Sequence, residues 1–368
     1  MDASQDLLIV VQPPSGNARE ASHKVRILSQ IYVERHPLAS HRSIKIFAPP
    51  QDRIDAFWHK ASILESKFVV LFNYRLRNGT TLRSLCVSNW KTGKILMLKI
   101  DNDVEAVSFL DTDHLLLVCS SGDPYVARLC VMEIPANTTM KKPRTVSLLF
   151  PAFTPEMLNW GALIHSNPMQ TGDFTKQAEN KLFNASPEQG IAIVEFHIGH
   201  KRNLHTELFV IPTRNLTRLA ATHLNGVHPD VTIPWGSWGP ENTRFLPFTP
   251  PIPHHSDSLP CIMGTRYFAV EEGFVVIYDF NPFAARLTWS LNEQDMGDPD
   301  IYVVVGSQEA EAPLFSKAIT TSVPYRRIVT MLQARAGRVL VLMKIVSFFL
   351  LILGNWLRCV YDLERLRR

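Results

Sequence analysis

Long helical periodicity is missing from this chain until its C-terminal end. Its 25 prolines in 368 residues point the same way, because proline lacks an amide donor and clashes with a preceding helical turn. Cysteine is sparse. The five residues Cys86, Cys119, Cys130, Cys261 and Cys359 are far apart, which excludes zinc knuckles and two-residue redox motifs. Several sit in apolar runs such as Leu85-Cys86-Val87, and they read as buried reduced thiols of a cytosolic or nuclear protein. Charge of one sign is also lacking. Lys and Arg number 38 against 34 Asp and Glu, a net charge of +4. No basic stripe interleaves with aromatics, so nucleic acid is not the expected partner. The start, Met1 to Asp6, is acidic and is no secretory signal, so the sequons at Asn78, Asn137, Asn184 and Asn215 read as chance matches.

Catalytic signatures are absent too. There is no Gly-x-Ser-x-Gly elbow, no phosphate loop and no dinucleotide fingerprint. His254, His255 and Asp257 lie on a proline-rich segment, where adjacent histidines point to opposite sides and cannot share an ion. His197, His200 and His205 read as a solvated loop, with a hairpin as the alternative. The acid pairs Asp101/Asp103, Asp111/Asp113 and Asp298/Asp300 read as turn residues that bond the local backbone. Neither a catalytic residue, a metal nor a cofactor is expected, and the chain is read as non-enzymatic, with an enzyme of unrecognised type using a propeller's axial pocket as the alternative.

What is present is β-structure. Short runs recur, among them Leu7 to Val11, Val25 to Val33, Phe68 to Tyr74, Ile95 to Ile100, Val104 to Leu110, Leu115 to Val118, Val126 to Ile134, Ile191 to Ile198 and Phe274 to Tyr278. Asp, Asn, Gly and Pro punctuate them. One helical piece is expected near Asp52 to Ser66, where Ile54, Phe57, Trp58 and Ile63 would share a face. Arg83 to Lys94 and Gly273 to Pro282 share a grammar of strand, aromatic–polar pair and turn. In propellers of the WD-repeat kind this marks the third strand of a blade and the turn to its outer strand. About twenty strand candidates suit roughly five to seven degenerate four-stranded blades. The expected fold is all-β and β-propeller-like over 1–327, with paired β-sandwich domains as the alternative.

The tail over 328–368 differs. Val339 to Leu357 is almost wholly apolar, with Lys344 near one end, Phe348 and Phe349 in the middle and Trp356 near the other. Its length approaches the ~20 residues of a spanning helix, and Lys344 would snorkel to an interface. The readings are a tail anchor holding the protein to a membrane, or a helix packed on the domain.

The run Pro234-Trp235-Gly236-Ser237-Trp238-Gly239-Pro240-Glu241-Asn242-Thr243-Arg244 resembles a hallmark of the large F-box protein families of mushroom-forming fungi. Ser4 to Val10, Asn89 to Gly93, Gly264 to Tyr267, Val276 to Asn281 and Thr320 to Arg326 agree with it in order. The resemblance covers roughly residues 4 to 327. It implies a β-rich, propeller-like region that captures protein substrates for a cullin-RING ubiquitin ligase. The F-box that docks the Skp1-type adaptor is not seen at Met1 to Val33, so that contact is not expected of this chain. Trp235, Trp238, Arg244 and Arg266 are the candidate binding residues if exposed, since Trp and Arg anchor interfaces. The alternative is architectural. The tryptophans would wedge between sheets after tight turns at Gly236 and Gly239-Pro240, and Arg244 would pair with Glu241 or Asp279.

Overall fold

The computed structural model describes residues 5–14, 21–49, 53–122, 126–135, 143–154, 158–166, 190–200, 203–224, 230–248, 261–271, 274–293, 301–310 and 315–333. They are mostly strand, with three α-helices among them. The chain was expected to hold one domain over 1–327. Its contacts divide into two compact units, 1–249 with 306–323, and 250–305 with 324–368.

The first unit is a series of antiparallel sheets laid down in chain order. Strands β1 (Leu7–Val11), β2 (Ser22–Ser29) and β3 (Ser43–Phe47) form the first. Strands β4 (Ile54–Leu64), β5 (Lys67–Leu76), β6 (Thr81–Asn89) and β7 (Lys94–Ile100) form the second. The third holds β8 (Val104–Phe109), β9 (His114–Ser121), β10 (Val126–Glu133) and β11 (Thr145–Leu149), with β15 (Asp230–Ile233) added parallel to β11. The fourth holds β12 (Leu158–Ser166), β13 (Ile191–His200), β14 (Asn203–Pro212) and β16 (Arg244–Phe248). Helices α1 (Thr213–Leu224) and α2 (Trp235–Asn242) lie between β14 and β16 in sequence. A short pair, β21 (Gln308–Ala310) and β22 (Ile319–Thr321), completes the unit.

Three cores separate these sheets, and they explain the composition of the strands. On β5, Phe68, Val70, Phe72 and Tyr74 face the first sheet, while Val69 and Leu71 face the third. On β9, Leu115, Leu117 and Cys119 pack toward the second sheet, and Leu116 and Val118 toward the fourth. A strand covered on both faces needs apolar residues at every position, so Phe68 to Phe72 and Leu115 to Val118 read as unbroken runs rather than alternations. Burying such a side chain contributes about 1.5–3 kcal/mol. The strands β4 and β12, each the first of its sheet, both pack against β8, the first strand of the sheet between them.

The expected helix near Asp52 to Ser66 is instead strand β4. It pairs with β5 from Ile54↔Leu76 to Leu64↔Lys67. The apolar spacing there fits a helical face, but a long neighbour satisfies the backbone all along its length, and that pairing outweighs local periodicity. The expected strand Val25 to Val33 stops at Ser29, where the chain turns. His197 and His200 lie on β13 rather than in a loop, in a hairpin with β14. In that register Thr206 stands opposite His197, and Ile198 opposite His205.

The second unit holds one mixed-order antiparallel sheet. Its strands run β17 (Cys261–Met263), β18 (Arg266–Glu271), β19 (Phe274–Asp279), β23 (Tyr325–Gln333) and β20 (Ile301–Val304). Here the expected outer strand after Asp279 is replaced by α3 (Pro282–Glu293). Asn281 explains why. Its side-chain oxygen accepts from the amides of Phe283 and Ala284, an N-cap that starts a helix. The matching turn after β6 behaves as expected. Asn89 Oδ1 accepts from the amides of Lys91 and Thr92, and Gly93 takes φ +72°, where an added Cβ would lie 2.3 Å from the His41 ring.

Candidate functional site

Among the described residues, a set of buried ionisable groups lies in the first unit, where β4, β8 and β12 meet. Lys60 projects from β4, and its Nζ donates to the carbonyl of Glu105 on β8 (3.3 Å) and of Ala162 on β12 (3.1 Å). One side chain thus ties three sheets together. Burial pulls its pKa down to about 8, against the attraction of Glu105. The Glu105 carboxylate accepts from both Arg83 terminal nitrogens (3.1 and 3.2 Å) and from Ser120 Oγ (2.6 Å).

Beside it, Glu195 on β13 is only 6% exposed. Nε2 of His197 lies 3.3 Å from its carboxylate, and Nε2 of His165 lies 3.8 Å away. Burial pushes Glu195 up to about 7, with Lys60 pulling the other way. Burial also lowers both histidines, His165 to about 4, and the Lys60 charge adds to this. Around neutral pH the histidines are therefore neutral, and Glu195 and Lys60 are poised near their midpoints. Groups pushed apart in this way can exchange protons. Among the described residues no three His, Cys, Asp or Glu side chains are placed to hold a metal ion.

The Trp-rich run forms α2, not a pair of tight turns. Pro240 lies inside the helix, and Gly239 allows the Trp235 ring to lie flat on the backbone. A Cβ there would sit 2.2 Å from Trp235 Cε3. Trp238 is 1% exposed, and its indole donates to the carbonyl of Leu149 on β11 (2.8 Å). It meets Trp235 and Phe150 edge-on, so it wedges the helix against the core of the third and fourth sheets. Trp235 is half-buried against the same core. Arg244 is fully buried. Its guanidinium donates to the carbonyls of Val323 (2.6 Å) and Gly306 (2.9 Å) and to Gln308 Oε1 (3.0 Å). The exposure that a partner contact needs is thus not met at Trp238 or Arg244.

Arg266, in the second unit, is half-buried and pairs with Asp279 (3.3 Å), which is 1% exposed and also takes Arg326 (2.9 Å). Asp279, one of the two acids named as partners for Arg244, thus holds two other arginines. Cys86, Cys119 and Cys130 are buried free thiols, as read from their apolar runs. The turn reading of two acid pairs also stands, since Asp103 and Asp113 donate their amides to Asp101 and Asp111.

His254, His255, Asp257, Asp298 and Asp300 lie outside the described residues, as does the tail with Val339, Lys344, Phe348, Phe349, Trp356 and Leu357. No described helix is long and apolar enough to cross a membrane. The Lys60 cluster was not anticipated from sequence. A signal was there in Ile191 to Ile198, where Glu195 interrupts an apolar strand, since a charge in such a run is buried and needs an explanation. No protein-family model, curated protein or solved structure matches the chain.

Proposed function

We propose that this chain is a non-catalytic, β-propeller-like scaffold that binds a protein. It would correspond to the substrate-recognition region of the F-box proteins it resembles in sequence. One observation supports the propeller reading above the others. Three consecutive sheets each contain four strands in meander order or close to it, and the first strands of all three lie side by side at β4, β8 and β12. Adjacent first strands are what radially arranged blades present to a common axis, whereas a two-sheet sandwich packs sheets face to face without that convergence. In this reading Lys60 and Glu105 are axial locks, and recognition belongs to the loops.

The test is selection of a random displayed-peptide library on the purified chain. A reproducible consensus that competes in solution is the expected result. A library that never enriches above the blank surface would count against the scaffold. Co-purification of a Skp1-type adaptor would instead extend the reading to ligase assembly.

A second reading, an enzyme acting through the axial groups, is favoured by the poised Lys60 and Glu195, with His197 beside the carboxylate. Its test is a screen of hydrolytic and lyase substrates in which turnover by the purified chain disappears on Glu195→Gln.

A further inference from the structure

The hairpin between β5 and β6 turns over Leu76 to Thr80, and Arg77 to Thr80 are all exposed. Its tip is Asn78-Gly79. Gly79 takes φ +82°, and a Cβ added there would meet nothing within 4 Å. The Leu76 amide donates to the Thr80 carbonyl (2.8 Å) and the Gly79 amide to the Leu76 carbonyl (2.9 Å), which closes the turn.

The Asn78 side chain folds back over this turn. Its Oδ1 accepts from the Thr80 amide (3.1 Å) and from Thr80 Oγ1 (2.7 Å). A turn asparagine ordinarily accepts a backbone amide two residues on. The hydroxyl bond is additional. Two donors on one amide oxygen draw electrons from Cγ, and they stand where negative charge collects when Cγ is attacked.

A nucleophile lies next in the chain. The Gly79 nitrogen and Asn78 Cγ can close a five-membered ring, and such an intramolecular attack replaces a bimolecular encounter. Glycine has no Cβ to crowd the approach and passes easily between backbone conformations. The bond from its amide to Leu76 must open first, and at an exposed turn that opening is local.

Other asparagines lack one ingredient or the other. Asn89 Oδ1 also holds two amides (3.0 and 3.1 Å), but Trp90 follows, fully buried, with its amide on the Ser66 carbonyl (2.9 Å). Asn281 precedes Pro282, which has no N–H to lose. Among the described residues, Asn78 is the one asparagine followed by glycine.

We propose that Asn78-Gly79 is a self-modification site, where the folded hairpin converts asparagine to aspartate and isoaspartate with Thr80 holding the oxyanion. The Gly79 nitrogen gives its proton to hydroxide and attacks Cγ. The new C–N bond forms as the carbonyl electron pair moves onto Oδ1, between the two Thr80 donors. Collapse of that oxyanion breaks the bond from Cγ to Nδ2, and the nitrogen leaves as ammonia with a proton from water, which restores the hydroxide. Water then opens the cyclic imide at either carbonyl and leaves a carboxylate. Water is the sole co-reactant. Each conversion lowers the formal charge of +4 by one, next to Arg77. The proposal stands apart from the scaffold reading.

The experiment incubates the folded full chain in mildly alkaline buffer made with heavy-oxygen water. Peptide mapping over time then compares wild type, Thr80→Val and Thr80→Ser. Asn78 should become a mixture of aspartate and isoaspartate carrying the heavy oxygen, while Asn89 stays unchanged in the same map. Thr80→Val should slow the conversion about threefold to tenfold, the worth of one bond to a charged oxygen, and Thr80→Ser should restore most of the rate. All three should melt together, because the tip is exposed and packs against nothing, so a slower rate is not unfolding. Equal rates in wild type and Thr80→Val would overturn the proposal. So would conversion of Asn78 only after denaturation in urea, which would show that the Gly79 bond to Leu76 locks the turn. Aspartate without isoaspartate would overturn the ring route.

Discussion

The two units solve the same problem, a buried charge beside a β-sheet, in opposite ways. In the first, the Arg244 guanidinium is fully buried and its fork meets two backbone carbonyls and an amide oxygen. In the second, the buried Asp279 carboxylate is met by Arg266 and Arg326, and by Thr265 Oγ1 and the Asn281 amide. A guanidinium tolerates this because its charge is spread over five donors that neutral oxygens can satisfy. A compact carboxylate with less delocalisation draws full counter-charges. Arg244 thereby fastens β16 to the 306–323 segment, whereas Asp279 fastens strand ends within its own sheet.

The largest expected effect comes from breaking the first arrangement. Arg244→Met strands the buried Val323 carbonyl and loses the bonds to Gly306 and Gln308, and should cost about 3 kcal/mol, read as a lower urea midpoint with an unchanged slope. Arg244→Lys should recover only part, since one ammonium cannot reproduce the fork. A loss within error for Arg244→Met would show that the guanidinium is replaceable by packing.

Asp279→Asn should cost about 2 kcal/mol. The Arg266 and Arg326 side chains keep 43% and 22% of their surface exposed, so they can turn to water once the carboxylate is gone. If this variant proved costlier than Arg244→Met, the neutral cradle would be the weaker of the two devices.

Glu207 on β14 sharpens the contrast, as a buried acid given neither kind of support. It is 7% exposed, its Oε2 has no hydrogen-bond partner, and burial pushes its pKa from 4.5 up to about 8. The folded state therefore holds the proton. Stability tied to that proton is fully present below pH 4.5 and is lost as pH rises through about 8. Glu207→Gln should flatten this decline, measured as chemical denaturation across that window. An unchanged pH profile would show that Glu207 reaches water.

His23 runs the other way. It stacks on Phe57 and Phe72 and bonds Tyr74, and burial lowers its pKa. Its contribution is present above pH 6.5 and lost as pH falls through its lowered value.

The smallest effect is expected at Arg266→Gln. Its half-exposed pair contributes about 0.5 kcal/mol, and this should vanish in high salt while the Arg244→Met loss persists.

The strands were largely legible because apolar runs bounded by turn residues survive in any context. Asn89 to Gly93 was legible as a turn because its side-chain bonds are local. Residues 52–66 were misread, since their periodicity fits a helix and only the β5 partner makes them a strand. The Trp-rich run was legible as architecture at Trp238 but not as a helix, because Pro240 and two glycines argue locally against one. The Lys60 cluster was not legible at all. Its members come from β4, β6, β8, β12 and β13, and no spacing in the chain announces that they meet.

By itself the sequence determined that this is a mostly β protein, because short apolar runs bounded by turn residues mark strands wherever they occur. It also determined that the common catalytic motifs are absent. Only the tertiary structure decided which charges are buried and what holds them, and that three first strands converge on Lys60. Those facts depend on what distant segments bring together in space, and pairing and desolvation act through that proximity rather than through position along the chain.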